Sequence, residues 1–326
     1  MNLPRRRFFH LAAGAFAAPA IARHARADAY PSRPVRLLSG FAPAGGNDII
    51  ARLMGQWLTG RLGQTFVVEN RPGAGTNIAA EVVINSPPDG HTLFVSNLSN
   101  AINATLYEKL NFNFMRDMLP VAGIAQAPSV LAINASVPAK TVTEFIAHAK
   151  ANPGRINMGS AGVGSTGHLA GELFKMMAGV NLVHVPYRGN APALTDLIAG
   201  QIEVLFPSLG SSIEFVKTGK LPALAVTGAT RSDAVPDLPT VAETLPGYQA
   251  ASFYGIGAPR NTQAEVVEVL NKAVNAGLAD PKLNARLIDL GSVPLPGEPA
   301  TFGKLIADET EKWGKVIRFA GIKSGD

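Results

Sequence analysis

Cysteine is absent from all 326 residues, which excludes a disulfide framework and any thiol chemistry. Long apolar runs are missing as well. The longest, Phe8 to Ile21, falls short of the roughly 18 apolar residues a membrane helix needs. An excess of positive charge is only apparent. The chain carries 29 Lys and Arg against 24 Asp and Glu. Arg5, Arg6, Arg7, Arg23 and Arg26 all lie in the first 27 residues, a stretch with no acid. Without that stretch the balance is 24 to 24, net zero. A folded domain with no surplus charge gives no basis for a nucleic-acid partner, which would need a basic patch or stripe. Catalytic signatures are lacking too. There is no G-x-x-x-x-G-K-[ST] phosphate loop and no G-x-S-x-G elbow, since Val163 stands two before Ser165 and Met158 two before Ser160. His91, His148, His168 and His184 have no metal-ligand spacing, so no metal is expected.

What is present begins with an address. Three consecutive arginines precede the Phe8–Ile21 run, and Ala25-Arg26-Ala27 closes it with small residues two apart. This is the pattern of a secretory signal peptide, with Asp28 as the first mature residue. Arg5-Arg6-Arg7-Phe8-Phe9 also fits twin-arginine export, against an ordinary secretory signal with an arginine-rich start. The expected location is the periplasm. About 300 mature residues can bury a large core without cross-links, and two domains are expected.

Short β-rich runs alternate with helical patterns along the mature chain. Strands are expected at 35–39, 65–68, 92–96, 130–133, 156–159, 182–185, 202–206 and 223–227, with helices such as 49–62, 142–150, 169–177 and 191–198 between them. Such alternation predicts parallel sheets covered by helices. Further helices are expected at 263–279, 282–290 and 301–320. Breaks near Ala125–Pro128 and Gly247–Ser252 suggest two α/β lobes: 28–126 with 252–326, and 127–251, with a cleft between them.

Two glycine-rich loops carry the chemistry, each directly after a strand and before a helix. One is Phe41-Ala42-Pro43-Ala44-Gly45-Gly46-Asn47-Asp48; the other runs from Gly159 through Ser160, Ala161, Gly162, Gly164, Ser165 and Thr166 to Gly167. Glycine lets backbone approach a ligand closely, and Asn47 or Asp48, and Ser165 or Thr166, are N-cap types. Taken singly, each loop is more simply a tight turn with a cap. Two in matching contexts, facing each other, would grip a carboxylate through helix N-termini without a buried cation. Gly162, Gly164 and Gly167 spell G-x-G-x-x-G. No acid stands at His184-Val185-Pro186-Tyr187, where a dinucleotide fold would need one, so no nucleotide cofactor is expected.

At these loops, and at Val68-Glu69-Asn70-Arg71-Pro72-Gly73, Pro88-Asp89-Gly90-His91 and His184-Val185-Pro186-Tyr187-Arg188-Gly189, the chain resembles the Bug family. These are extracytoplasmic solute-binding proteins of the tripartite tricarboxylate transporter type. The resemblance spans the mature chain. It implies a two-lobed periplasmic binding-protein fold of type II-like architecture, the C-terminal helices completing the first lobe. It implies a monomer that closes over a small organic carboxylate and delivers it to membrane permease subunits. By resemblance, Phe41, Ala44, Gly45, Gly46 and Asn47 hold one carboxylate together with Ser160, Ala161, Gly164, Ser165 and Thr166, through N–H groups and bridging water. Ser96 would face the cleft, and Tyr187, Pro207 and Ser208 would form the far wall. The family often has aspartate at position 207; proline there offers neither charge nor N–H, which counts against an amino-acid ligand. Ala44 likewise replaces a glycine, and Phe253 a common tryptophan. An α/β enzyme acting on a carboxylate is the alternative, with no nucleophile–base pair visible in the sequence.

Overall fold

The structure, a computed structural model, describes residues 30–41, 43, 46–107, 109–187 and 189–323; the proposed signal segment lies outside them. Eleven strands are described: β1 (Val35–Ser39), β2 (Phe66–Asn70), β3 (Thr92–Asn97), β4 (Met118–Pro128), β5 (Val130–Ile133), β6 (Asn157–Ser160), β7 (Val183–Pro186), β8 (Val204–Leu205), β9 (Ala223–Val226), β10 (Ala251–Pro259) and β11 (Val293–Pro294). They build two sheets, ordered β11-β4-β10-β3-β1-β2 and β7-β6-β8-β5-β9.

Both sheets are mixed, which corrects the expectation of parallel ones. β1 pairs in parallel with β2 and β3, and β6 with β7 and β8. β10 runs antiparallel to β3 and β4, and β5 antiparallel to β8 and β9. The parallel pairs are the ones joined through helices, because a parallel neighbour needs a long crossover. β4 and β10 escape the sequence pattern. Their glycines, prolines and polar residues interrupt the apolar run, yet tertiary pairing holds them extended over 11 and 9 residues.

The chain passes from the first sheet to the second between Pro128 and Val130, and returns between Ala250 and Ala251. Thr227 ties both crossings together. Its Oγ1 accepts from Ser129 N at 2.8 Å and donates to Ala250 O, while Ala250 N donates to Thr227 O at 2.8 Å.

Helices 264–279 and 299–320 return to the first sheet. Trp57, on helix 46–62, donates from its indole to Ala273 O at 2.8 Å. One apolar cluster runs continuously through both sheets, from Leu38, Phe94 and Trp313 to Ile133, Phe174 and Phe206. Two smaller clusters cover the remaining faces, around Leu37, Met54 and Leu270 and around Val130, Leu197 and Ile213. Among the described residues no helix is long and apolar enough to cross a membrane.

Candidate ligand-binding site

Five strands end at one place. After β1, β3, β6, β7 and β8 the chain turns directly into helices Gly46–Leu62, Leu98–Leu106, Thr166–Ala178, Asn190–Ala199 and Leu209–Lys217. The first residues or caps of all five helices, Gly46, Asn97, Ser165, Asn190 and Ser208, line a single cavity of about 250 Å³. Parallel neighbours put their carboxyl ends on the same edge of a sheet, so the helix N-termini gather there. Each N-terminus brings unpaired N–H groups and a partial positive charge.

The local chemistry holds these ends in place. Asn97 caps its helix, its side chain accepting from Ser99 N at 2.8 Å, while Asn100 Oδ1 accepts from Asn97 N at 2.9 Å. Because Asn97 Oδ1 is committed to a backbone donor, its Nδ2 is left as a donor; it is buried and has no partner. Asn47 has the same property: Oδ1 accepts from Ser39 Oγ at 2.6 Å, and Nδ2 is unpartnered. A buried donor without an acceptor is costly, and an anion in the cavity would offset that cost. Asp48, buried beside the same helix start, is paired with Arg52 at 2.9 Å and accepts from Asn70 Nδ2 at 2.9 Å.

Two glycines permit close approach. A Cβ on Gly46 would stand 2.9 Å from the Tyr254 hydroxyl, and one on Gly167 would stand 2.5 Å from Phe206 O. Tyr254 shares the cavity wall with Ser252. Burial raises its phenol above the ordinary value, so it stays a neutral donor. A second chamber of about 500 Å³ adjoins the first across Gly46, Ala127, Asn190, Ser208 and Tyr254, and is walled by Ile49, Ile50, Ala191 and Leu290. None of the described residues lining either chamber is charged. Among the described residues no group of three acidic or histidine side chains is placed to hold a metal.

Behind the 160–167 loop lies a neutral imidazole pair. His168 and His184 stack with ring centroids 3.7 Å apart. His184 Nε2 meets Ser160 Oγ at 2.7 Å, and Gly164 N donates to His168 Nδ1 at 3.1 Å. Burial lowers His168 to about 3 and His184 to about 4, so both rings are uncharged above that range.

The sequence profile of the tripartite tricarboxylate transporter family receptor matches residues 50–322. The chain belongs to that family. It is 32% identical to the protein BugT of Bordetella pertussis over 314 residues, covering 95% of this chain and 96% of BugT. The structure of R. palustris Rpa4515 with adipate is similar at a TM-score of 0.80 and 37% identity, covering 90% of this chain and 99% of that one. MatC of Rhodopseudomonas palustris, with bound malate, matches at a TM-score of 0.76 and 32% identity, covering 88% and 100%. Both neighbours share the two-lobed α/β architecture.

Of the residues expected at the receptor's site, Phe41, Gly46, Asn47, Ala161, Ser165, Thr166 and Ser208 line the inner cavity. Ala44 and Gly45 lie outside the described residues. The other five line neither this cavity nor the second chamber. Ser96 precedes Asn97 on β3, and successive strand residues face opposite ways; Ser96 is fully buried and lies beneath β10, its Oγ 3.1 Å from where a Cβ on Gly257 would sit. Ser160 is turned to His184, and Gly164 to His168, as described. Tyr187 donates its hydroxyl to Asp196 Oδ2 at 2.7 Å. Pro207 spends its carbonyl on Val130 N at 3.0 Å, leaving its neighbours Phe206 and Ser208 at the wall.

Sequence reasoning found two of the five helix N-termini. It missed Asn97 and Ser99, although an asparagine at a strand end followed three residues later by Asn100 is a legible cap. It missed Asn190, whose helix is announced only by Gly189 and Pro192. Tyr254, Ser252 and Ser129 come from chain crossings that no local pattern marks.

Proposed function

We propose that this receptor captures a small organic carboxylate in the cavity where the five helix N-termini meet, and serves no enzymatic turnover. That convergence, with two buried and unpartnered amide donors and an uncharged described lining, is the observation that carries the reading. An anion here is held by N–H, amide and hydroxyl donors, which replace its water shell with fixed dipoles. Adipate and malate in the two neighbours' structures support a carboxylate as the class. The lobes we propose are 28–126 with 252–326, and 127–251. Delivery goes to permease subunits of a tripartite tricarboxylate transporter, from a monomeric receptor.

A thermal-shift screen of mono-, di- and tricarboxylates tests the class, since a ligand that binds the folded state alone raises the midpoint. Asn97→Asp sharpens it. The aspartate keeps the cap on Ser99 N but replaces a donor with a negative charge, so the ligand-induced shift disappears while the unliganded midpoint holds. A shift that survives Asn97→Asp, or measurable turnover of the acid, refutes the reading.

We further infer periplasmic export with cleavage after Ala27. Intact mass of the periplasmic protein is expected to correspond to a chain starting at Asp28; a full-length species as the sole product would exclude it.

A further inference from the structure

We infer that the acid this receptor holds is a monocarboxylate with an uncharged, largely apolar body, its carboxylate in the inner chamber and its body in the outer one. The inference rests on the carboxylate reading above and narrows it.

Donor accounting separates the two chambers. Two buried amide donors without partners, Asn47 Nδ2 and Asn97 Nδ2, belong to residues that line the inner chamber and not the outer one. Five polar side chains reach the outer chamber: Asn190, Ser208 and Ser211, which bond to one another, and the neutral hydroxyls of Tyr254 and Ser292. Asn190 Nδ2 donates to Ser208 Oγ and to Ser211 Oγ, both at 3.3 Å. Ser208 Oγ donates to Ser211 Oγ at 2.9 Å, and Ser211 Oγ donates to Ser208 O at 2.8 Å. Each of those network hydrogens is already used, so a second carboxylate there would have to break the network or exchange its water shell for the two neutral hydroxyls of Tyr254 and Ser292, with no cation among the described lining.

Backbone donors are thinned as well. Pro192 removes an N–H from the first turn of helix Asn190–Ala199. Ser211 N, in the first turn of the next helix, donates to Ser208 O at 3.0 Å. The walls match an apolar body instead. Ile49 is 38% exposed although it lines the chamber, and Ile50, Ala191 and Leu290 surround it. Covering such surface favours association in proportion to the apolar area removed from water. The volume of about 500 Å³ admits a ring or a chain of several carbons.

Isothermal titration of the mature chain with matched acids tests this. Hexanoate is compared with adipate, and 4-methylbenzoate with terephthalate, each pair differing in whether the far end is methyl or carboxylate. The monoacid is expected to bind at least tenfold more tightly in at least one pair, and in neither pair more weakly. A diacid that binds more tightly in either pair, or the lack of a tenfold preference for the monoacid in both pairs, overturns the inference and leaves the carboxylate reading standing. No binding by any acid overturns both.

Ile49→Lys places a cation in the outer chamber and is expected to shift the preference at least tenfold towards the diacid. Ala191→Lys supplies the charge from the opposite wall if the first variant fails to fold. Unchanged preference in both lysine variants would mean the body lies elsewhere, and would also overturn the inference. Arg188 lies outside the described residues, so Arg188→Gln is titrated in parallel. It is expected to keep the order of affinities; loss of all acid binding would make Arg188 the counter-ion and overturn the account.

Discussion

His168 and His184 show how much a residue's role depends on what covers it. In sequence they are isolated histidines with no ligand spacing. In the fold they stack behind the 160–167 loop and hold it through Gly164 N and Ser160 Oγ. Both titrate below the ordinary value of 6.5 because burial disfavours their charged forms. The folded state therefore binds fewer protons than the unfolded chain. Their contribution is fully present above pH 6.5. It is lost as pH falls from there towards about 4 for His184 and about 3 for His168, at up to about 1.4 kcal/mol per pH unit for each proton. Denaturant titrations between pH 7 and 4 should show this slope, and the His168→Asn, His184→Gln pair should reduce it. An unchanged slope would assign the acid sensitivity to other groups. Ser96 and Asn97 teach the same dependence. Sequence marked the serine as the strand end, whereas the pleat turns the asparagine to the cavity.

At the scale of elements, the strand–loop–helix unit is the working part, repeated five times around one cavity. Its glycine-rich versions after β1 and β6 were legible because the loop composition is unusual. The shorter turns after β3, β7 and β8 look like any cap. The mixed sheets were less legible, since β4 and β10 owe their extension to each other across more than 120 residues of sequence. Thr227 joins the two crossings between the sheets and is the element-level weak point. Thr227→Val keeps the volume but leaves Ser129 N and Ala250 O without their side-chain partner. The expected cost is about 1–3 kcal/mol of stability, the scale of stranding buried polar groups. Chemical denaturation of the variant measures it, and a change below a few tenths of a kcal/mol would show that backbone bonds alone secure the crossing.

For the whole molecule, the cavity wall draws Gly46 and Asn97 from one sheet's side and Ser165, Asn190 and Ser208 from the other's. A ligand gripped from both sides binds the closed arrangement better than an open one and shifts the population towards it. The apolar cluster that runs through both sheets restrains the amplitude, because a large hydrophobic interface opposes free relative motion. Small-angle scattering with a saturating ligand is expected to show a modest decrease in radius of gyration. An unchanged radius with confirmed binding would mean that the unliganded receptor is already closed.

Sequence by itself determined the things that depend on neighbours along the chain. These were the α/β class, most strand and helix positions, and the two glycine-rich loops with their cap residue types. Composition also removed thiol chemistry, and with the first 27 residues set aside it removed any surplus charge. Tertiary structure decided what depends on neighbours in space. It set which helix N-termini converge, which face of β3 meets the cavity, and how Asn190, Ser208 and Ser211 satisfy one another while Asn47 and Asn97 keep unpartnered amides. Hydrogen-bond partners are chosen by distance and angle after folding. The donors left over for a ligand are therefore a property of the packed site and cannot be read from residue types alone.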